Sequence, residues 1–306
     1  SVGLAAAAGA IALVGSLALT LSVLSASAAP AAPNQPTEHP LAPTAPTARL
    51  HVPVIVRSIP PTATPVVCQT TGTAYEAVDS IDGLTDQPAA VHADLNLALR
   101  GYRATNTELG LVHYNAGDGG PDPRAPQLPT LFVDERTATI TGTYQVYDWD
   151  WSCNCRGDPL TGDGIPPDYY STTLITLGTT AGEILRVPNS GYDIGQGYQV
   201  LVLYATDSRL TLKYTREDNV IAGYTIHLEN ICTDPSLLAL YQAADNAGRG
   251  TLPALRGRQP LGRARGGSVG VAVRDSGTFM DPRSQADWWQ DRGPVVVYLA
   301  NPMTGQ

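Results

Sequence analysis

From Cys68 onward, short apolar runs alternate with Gly, Pro, Asn and Asp. Short runs separated by turn residues are typical of an all-β protein. We predict nine strands, at residues 94–99, 109–114, 138–151, 172–177, 184–187, 199–206, 210–215, 220–228 and 269–274. The pattern indicates a mainly β fold, either an antiparallel β-sandwich or a barrel-like head.

The clearest alternation lies in the run LTLKYT at residues 210–215. Side chains along a strand point alternately to its two faces. Leu210, Leu212 and Tyr214 therefore share one face, and the other face carries Thr211, Lys213 and Thr215. This pattern predicts a half-buried strand. The preceding run 199–206 is separated from it by Asp207-Ser208, which predicts a hairpin.

One helix is expected, at residues 235–247, with the sequence PSLLALYQAADNA. Asp234 suits the N-cap, Pro235 suits the first helical position, and Gly248 suits the C-terminal turn. A weak domain boundary is expected in the loop at 156–168, which divides the head into an N-terminal β domain at 67–160 and a C-terminal β domain at 161–306.

The first residues have a different pattern, because the chain is uncharged and apolar from Val2 to Leu24. Residues 1–28 are interpreted as an apolar helix that enters a membrane or a filament, or as a signal peptide cleaved after Ala28. Residues 29–66 are rich in Pro, Ala and Thr, which predicts an extended linker. The head is therefore expected outside the membrane, extracellular or at the cell surface.

The apolar segment resembles the retained N-terminal helix of pilin-like filament subunits. These proteins bundle such helices inside the fibre, so the resemblance implies self-assembly through residues 1–24. Bacterial type IV pilins usually begin the mature chain with an aromatic residue and have a glutamate in fifth place, where this chain has Ser1 and Ala5.

Charge and cysteine content narrow the function classes. A formal net charge of -9 argues against a nucleic-acid-binding protein, since such a protein needs a cationic surface. Cys68, Cys153, Cys155 and Cys232 are consistent with an oxidising compartment and two disulfides. We expect Cys153 and Cys155 each to bond to a distant partner, Cys68 or Cys232, in either of the two possible pairings. A zinc site is the less favoured alternative.

The segment YDWDWSCNC at residues 147–155 carries the strongest candidate for ligand binding. In a strand, Tyr147, Trp149 and Trp151 share one face, while Asp148 and Asp150 lie on the other. The rings and the acids are therefore not expected to form one site. The three rings either stack sugar rings or are buried as core, and the acidic face is expected to be exposed.

The C-terminal half resembles the lysostaphin-like zinc endopeptidases, which cleave peptidoglycan cross-links. The resemblance rests on Gly223-Tyr224-Thr225-Ile226-His227-Leu228 and on the turn Arg258-Gln259-Pro260-Leu261-Gly262. The family binds zinc through an early His-x-x-x-Asp motif and a His-x-His pair. This chain has no His-x-His pair, and the corresponding strand reads SVGVAV at 268–273. The resemblance thus implies a degenerate domain that binds glycan or peptide without hydrolysis.

Two further residues are candidate ligand contacts. His227 is expected as a surface histidine, because Thr225 and Glu229 on its strand face are polar. Trp288 and Trp289 are adjacent, so at most one of them is expected to be buried, and Trp288 is a candidate contact. We identify no catalytic residue, metal ligand set or cofactor motif.

Five arginines lie between Arg249 and Arg265. They fit a patch that binds an anionic neighbour or cell-wall polymer, or a solvated loop that balances an acidic surface.

The sequence leaves three candidate functions. The first is an exported structural protein without catalytic activity, a pilin-like filament subunit. The alternatives are a binding module for cell-wall or extracellular glycan, and a secreted hydrolase whose active site is not recognised.

Overall fold

A computed structural model describes residues 67–83, 87–113, 121–157 and 170–290. The expected apolar helix at 1–28 and the linker at 29–66 lie outside the described residues. No helix in the described ranges is both long enough and apolar enough to cross a bilayer.

The described residues form fifteen strands and three α-helices. The strands are β1 (Glu76–Asp79), β2 (Tyr102–Ala104), β3 (Ile140–Val146), β4 (Trp149–Asp150), β5 (Cys155–Arg156), β6 (Leu174–Gly178), β7 (Ile184–Arg186), β8 (Val200–Ala205), β9 (Arg209–Lys213), β10 (Tyr224–Glu229), β11 (Ile231–Thr233), β12 (Thr251–Leu255), β13 (Pro260–Ala264), β14 (Ser268–Asp275) and β15 (Thr278–Met280). The helices are α1 (Leu97–Arg100), α2 (Pro235–Asn246) and α3 (Gln285–Trp288), and two 3₁₀ turns lie at Ala89–Val91 and Leu128–Leu131.

Most strands belong to one ten-stranded sheet of order β1-β12-β8-β9-β10-β14-β6-β3-β2, with β15 paired to β14. Its named strand pairs are all antiparallel. A second sheet, β11-β13-β7, packs against one face of the first. The prediction of a mainly β, antiparallel fold is confirmed, and the two sheets form a sandwich-like core.

The core between the sheets is apolar, as the alternation predicts. Leu212, Ile226 and Val271 come from neighbouring strands and are fully buried in it. The Tyr214 hydroxyl lies in the same layer and donates to the Pro188 carbonyl at 2.7 Å. Its burial is therefore accompanied by a hydrogen bond, as buried polar groups require.

The domain boundary expected near residue 160 falls among residues 158–169, which are not described. Strands on either side of that gap pair directly, since β3 from the N-terminal part is the neighbour of β6 from the C-terminal part. The described residues of the two predicted domains thus share one sheet.

Several predicted strands are confirmed, because β6, β7, β8, β9, β10 and β14 lie within or overlap their predicted ranges. The strand predicted at 94–99 is wrong. Asn96 accepts a hydrogen bond from the Ala98 amide and caps helix α1 instead. The single strand predicted at 138–151 is interrupted at Tyr147 and Asp148, between β3 and β4.

Helix α2 begins and ends almost where the sequence predicts. The Asp234 carboxylate accepts from the Ser236 amide at 2.8 Å, and Gly248 has φ of 90° after the last turn. A positive φ is favourable for glycine at this position. The ring of Tyr241 on α2 contacts Tyr204 of β8 at 6.2 Å, so the helix packs on the sheet face opposite β11-β13-β7.

That second face of the large sheet, here called the polar face, carries Thr211, Lys213, Thr225, His227 and Arg274. The prediction that β9 is half-buried is wrong, because Thr211 and Lys213 are 2% and 0% exposed. The chain around residues 89–100 also covers this face, where the Leu95 carbonyl accepts from the Thr211 hydroxyl at 2.6 Å. The alternation within β9 cannot predict that a segment so distant in sequence covers this face.

The predicted disulfide pairing is wrong. Cys68 bonds to Cys232 of β11, and Cys153 bonds to Cys155. Asn154 between the latter pair has φ of 50°, a left-handed conformation that turns the chain sharply. The two Cα atoms are consequently 5.3 Å apart, within the usual range for a disulfide. The prediction assumed a continuing strand, which would have separated the two side chains.

Candidate functional site

The segment from Tyr147 to Cys155 lies beside a cavity of about 250 Å³, here called the aromatic cavity. Its aromatic walls are Tyr147, Trp151 and Phe279. Phe279 is on β15 and comes from a part of the chain more than a hundred residues away. The topology therefore combines the predicted candidate segment with a distant hairpin.

The β4–β5 hairpin presents Trp151 to this cavity. Trp151 is 48% exposed, which excludes the alternative that this ring is part of the core. Its ring contacts Trp149 at 6.4 Å and His92 at 5.3 Å, both in tilted or edge-on geometry. The Trp149 indole N–H donates to Asn154 Oδ1 at 3.2 Å. The orientation of both tryptophans is thus fixed by the small hairpin that the Cys153–Cys155 disulfide closes.

The prediction that the rings and the acids do not form one site is wrong for Asp148. Because the strand is interrupted there, Asp148 lines the same cavity as Tyr147 and Trp151. Its side chain is 53% exposed, and Oδ1 lies 3.6 Å from Nη1 of Arg100. Asp150 instead accepts hydrogen bonds from the amide and hydroxyl of Ser152, at 2.8 and 2.6 Å, and does not line the cavity.

The floor of the cavity is an ion network centred on Asp94. Its Oδ1 accepts from Nη2 of Arg100 at 2.7 Å and from Nη1 of Arg274 at 2.8 Å. Burial disfavours the ionised carboxylate, but the charges of Arg274 and Arg100 outweigh it and hold the pKa of Asp94 below its usual value. Burial also lowers the pKa of Arg274, against the opposing effect of Asp94.

Each guanidinium nitrogen of these two arginines donates a hydrogen bond within the protein. Arg100 donates through Nε to the Ala93 carbonyl at 3.1 Å and through Nη1 to the Tyr147 carbonyl at 3.4 Å. Arg274 donates through Nε to the Gly277 carbonyl at 2.9 Å, and its guanidinium lies 4.6 Å from the Phe279 ring centroid. The two guanidinium groups therefore form a rigid framework.

Two local turns position these groups. Ser276 and Gly277 connect β14 to β15 and both have positive φ, 46° and 85°, as a two-residue type I′ hairpin requires. This turn orients the Gly277 carbonyl toward Arg274. Gly101 follows α1 with φ of 66°, and a Cβ there would lie 2.7 Å from Nη1 of Arg156. The lack of a Cβ at Gly101 leaves room for the Arg156 guanidinium, which lies 5.2 Å from the Tyr147 ring centroid.

The expectation of a surface His227 is wrong, since it is 1% exposed beneath the cavity. Its ring lies 6.0 Å from Phe279, and Nδ1 is 3.0 Å from the Thr211 hydroxyl. Thr211 gives its one hydroxyl hydrogen to Leu95, so Nδ1 of His227 is the donor in this pair. Burial, followed by the charge of Arg274, lowers the pKa of His227 to about 3. The ring is therefore neutral and inaccessible to ligand.

Trp288 is also not a ligand contact. Trp288 and Trp289 are 2% and 0% exposed, so the prediction that at most one of them is buried is wrong. Helix α3 ends at Trp288, and Trp289 has φ of -135°, which lets both rings enter the core. Their indole N–H groups donate to the carbonyls of Asp281 and Pro282 at 3.0 and 2.8 Å.

In the segment on which the sequence resemblance to lysostaphin-like endopeptidases rests, His227 on β10 lies opposite Ala272 on β14. Among the described residues, no group of three or more His, Cys, Asp or Glu side chains is arranged to hold a metal ion.

Sequence reasoning identified Tyr147 and Trp151 as candidates but missed Asp94, Arg100, Arg274 and Phe279. One local signal was present, because the dipeptide Ser276-Gly277 after an apolar run is a hairpin signal. A hairpin there places Phe279 opposite Arg274, as the register confirms.

No protein-family model, curated protein or solved structure matches this chain.

Proposed function

We propose that this chain is an exported glycan-binding protein that holds a sugar unit in the aromatic cavity. The observation that carries the proposal is the exposed Trp151 ring beside the Asp148 carboxylate, in a cavity where Asp94 forms ion pairs with both Arg100 and Arg274. The cavity volume of about 250 Å³ suits one or two sugar rings rather than a large cofactor.

The indole of Trp151 supplies the apolar surface. A sugar ring has one face made largely of C–H groups, and such a face packs against a flat aromatic ring. Contacts from Trp149 and His92 already hold the indole in place. Little side-chain entropy is then lost on binding, which favours affinity.

Hydroxyl-binding groups surround that surface. Asp148 has a solvent-exposed carboxylate that accepts hydrogen bonds from sugar hydroxyls. Thr173 also lines the cavity, and its hydroxyl is held by the Val146 amide, from which it accepts at 2.9 Å. Each guanidinium nitrogen of Arg100 and Arg274 already donates to an acceptor within the protein. We therefore propose a neutral sugar for this cavity.

Two features support export. The chain has two disulfides, which persist in oxidising compartments. The uncharged stretch from Val2 to Leu24 is typical of a segment that enters a membrane. Cell-wall or extracellular polymers are the glycans that such a protein meets.

The test is binding of the purified chain to mannan, β-glucan, chito-oligosaccharides and peptidoglycan fragments, measured by calorimetry. Trp151→Ala removes the stacking surface, and we expect it to weaken binding at least tenfold, about 1.4 kcal/mol. Ile221→Ala is the control, because Ile221 is 74% exposed and lies away from the cavity. Wild-type protein that binds none of these glycans, or W151A protein that binds as tightly as wild type, would refute the proposal.

A second proposal rests on the segment Val2 to Leu24 alone. Its lack of charge over a length sufficient to cross a bilayer also suits a filament core, so we propose that residues 1–24 assemble this chain into a pilin-like surface filament. The filament would then display the glycan-binding head.

The filament proposal predicts that the native protein appears in the sheared surface fraction and in fibres seen by electron microscopy. Deletion of residues 2–24 is expected to abolish both. A deletion of equal length in the linker, residues 31–53, is the control and should leave fibres intact. Native protein that is found only as soluble monomer would exclude filament assembly.

A further inference from the structure

A second, larger depression of about 650 Å³ opens on the polar face of the ten-stranded sheet. Strand β14 connects it to the aromatic cavity, because Gly270 lines the depression and Arg274 lines the cavity. The two positions share a face and are separated by about 13 Å along the strand. We call this second site the arginine depression, after Arg209 and Arg265 in its wall.

Arg209 is held in position by a buried partner. Its Nε donates to Oε2 of Glu229 at 2.7 Å, and the Glu229 side chain is only 7% exposed. The two residues are opposite each other on β9 and β10. Among the described residues, Nη1 and Nη2 of Arg209 have no hydrogen-bond partner. A guanidinium fixed through Nε with both terminal nitrogens available is suited to bidentate binding of an oxyanion.

The space in front of this guanidinium is kept open by a glycine. Gly270 lies opposite Glu229 in the sheet, and a Cβ at Gly270 would lie 2.9 Å from the Glu229 Cβ. Any larger residue would push the Glu229 side chain and fill the depression. The architecture therefore preserves an opening at this point of the sheet.

Arg265 supplies the second cation. Its Nη1 donates to Oδ2 of Asp207 at 3.2 Å, and the Asp207 side chain is 62% exposed. An ion pair this exposed contributes little to stability. The Nε and Nη2 atoms of Arg265 have no partner within the described part of the chain. The hydroxyl groups of Ser208 and Ser268 also line the depression.

We infer that the arginine depression binds an oxyanion, a carboxylate or phosphate group carried by a glycan, through Arg209 and Arg265. Arg209 and Arg265 each keep guanidinium nitrogens without a partner among the described residues, and an oxyanion is the acceptor that matches them. The ligand group displaces Asp207 from Arg265, since that exposed pair is weak. Only the identification of the carrier as a glycan rests on the proposed function, while anion binding does not depend on the aromatic cavity.

Substitution of Asp207 tests the inference by raising the affinity for the ligand rather than abolishing it. In the wild-type protein its carboxylate competes with the ligand for Arg265, so Asp207→Asn is expected to tighten binding of an anionic ligand three- to tenfold. Asp134→Asn is the matched control, because Asp134 is 61% exposed and pairs with Arg136 elsewhere on the surface. A gain of affinity is not produced by misfolding.

Arg265→Gln is the complementary loss-of-function variant, for which we expect at least tenfold weaker binding. Its control is Arg258→Gln, since Arg258 is 43% exposed and pairs with Glu135 at 2.6 Å. Arg209 is not the first choice for substitution, because its removal leaves the buried Glu229 carboxylate without its cation.

The probes are oligogalacturonate, which carries carboxylates, a poly(glycerol phosphate) oligomer, and a neutral oligosaccharide of equal length, each titrated by calorimetry at two salt concentrations. We expect D207N to tighten and R265Q to weaken binding of a charged probe, with lower affinity at high salt and no effect on the neutral probe. Binding of either charged probe in this pattern supports the inference and identifies the anion. Absence of binding of both charged probes, or equal affinities for D207N, R265Q and wild type, overturns it.

The proposals for the aromatic cavity and for the arginine depression can be refuted independently of each other. If W151A leaves neutral-glycan binding unchanged while D207N and R265Q alter binding of charged probes, the proposal for the aromatic cavity is wrong and the arginine depression stands. The opposite pattern refutes only the proposal for the arginine depression.

Discussion

Lys213 is the only lysine in the chain, and its side chain is fully buried on the polar face. Its Nζ has no hydrogen-bond partner in the described ranges, nor has the hydroxyl of Thr225, which lies opposite on β10. Burial lowers the pKa of Lys213 to about 8, with Glu217 opposing that effect and Arg274 adding to it. An ionised amine in this position destabilises the folded state.

We predict that Lys213→Met stabilises the protein at pH 7 by about 1–3 kcal/mol, because a flexible apolar side chain of similar length replaces an unpaired charge. Urea denaturation of wild type and variant measures this difference. The exposed Arg258→Met serves as the control and should change stability by less than about 0.5 kcal/mol.

The stability gain of K213M is also expected to depend on pH. The unfolded chain keeps the Lys213 proton up to its ordinary pKa of 10.5, whereas the folded chain releases it at about 8. The unfolded state therefore binds more protons between these values, and wild-type stability rises with pH across that window. K213M lacks this contribution, so its advantage should shrink between pH 7 and 9.5. An advantage that stays constant with pH would show that the amine is not the cause.

His227 illustrates what residue patterns do and do not predict. Alternation correctly places Thr225, His227 and Glu229 on one face of β10, but it wrongly makes that face a surface. Polar composition normally indicates exposure. Here the chain around residues 89–100 covers the strand, and the Thr211 hydroxyl satisfies Nδ1 of His227. Only the tertiary fold supplies that cover.

Elements with local signals were predictable. Helix α2 has its own N-cap and terminal glycine, and the β8–β9 hairpin has its turn at Asp207-Ser208, so neither depends on distant residues. Strands without such signals were missed. β12 and β13 are five residues long and contain Pro253 and Pro260, which argue locally against strands. β12 pairs with β8, and β13 with β7, across more than fifty residues of sequence.

Only part of the aromatic cavity could be predicted from the sequence, because only some of its residues are close together in the chain. Tyr147 and Trp151 are close in sequence, so a local reading identifies them together. Arg100 and Arg274 lie far apart in the chain and meet at Asp94 and over the Phe279 ring. The interruption of the strand at Asp148 was also unpredictable, because the run around it keeps a regular alternation of rings and acids.

The two disulfides differ in how much of the molecule they constrain. Cys68–Cys232 closes a loop with a sequence separation of 164, and Cys153–Cys155 one with a separation of 2. In the chain-entropy model the first stabilises the fold by about 5 kcal/mol and the second by about 1.5 kcal/mol. The larger loop contains most of the strands of the ten-stranded sheet.

We therefore predict that the double variant Cys68→Ser/Cys232→Ser loses several kcal/mol of unfolding free energy, while Cys153→Ser/Cys155→Ser loses about 1.5 kcal/mol or less. Denaturant unfolding of both variants beside wild type measures the difference. Equal losses, or a larger loss for the short loop, would contradict the chain-entropy account of this fold.

The four tryptophans of the chain fall into two pairs with opposite surroundings. Trp288 and Trp289 are enclosed in the core, whereas Trp151 lines the aromatic cavity and Trp149 contacts Trp151. Indole fluorescence is sensitive to solvent, so the first pair emits at shorter wavelength and is shielded from an aqueous quencher such as iodide. Quenching of the long-wavelength emission then reports occupancy of the cavity, while the short-wavelength emission reports whether the fold is intact.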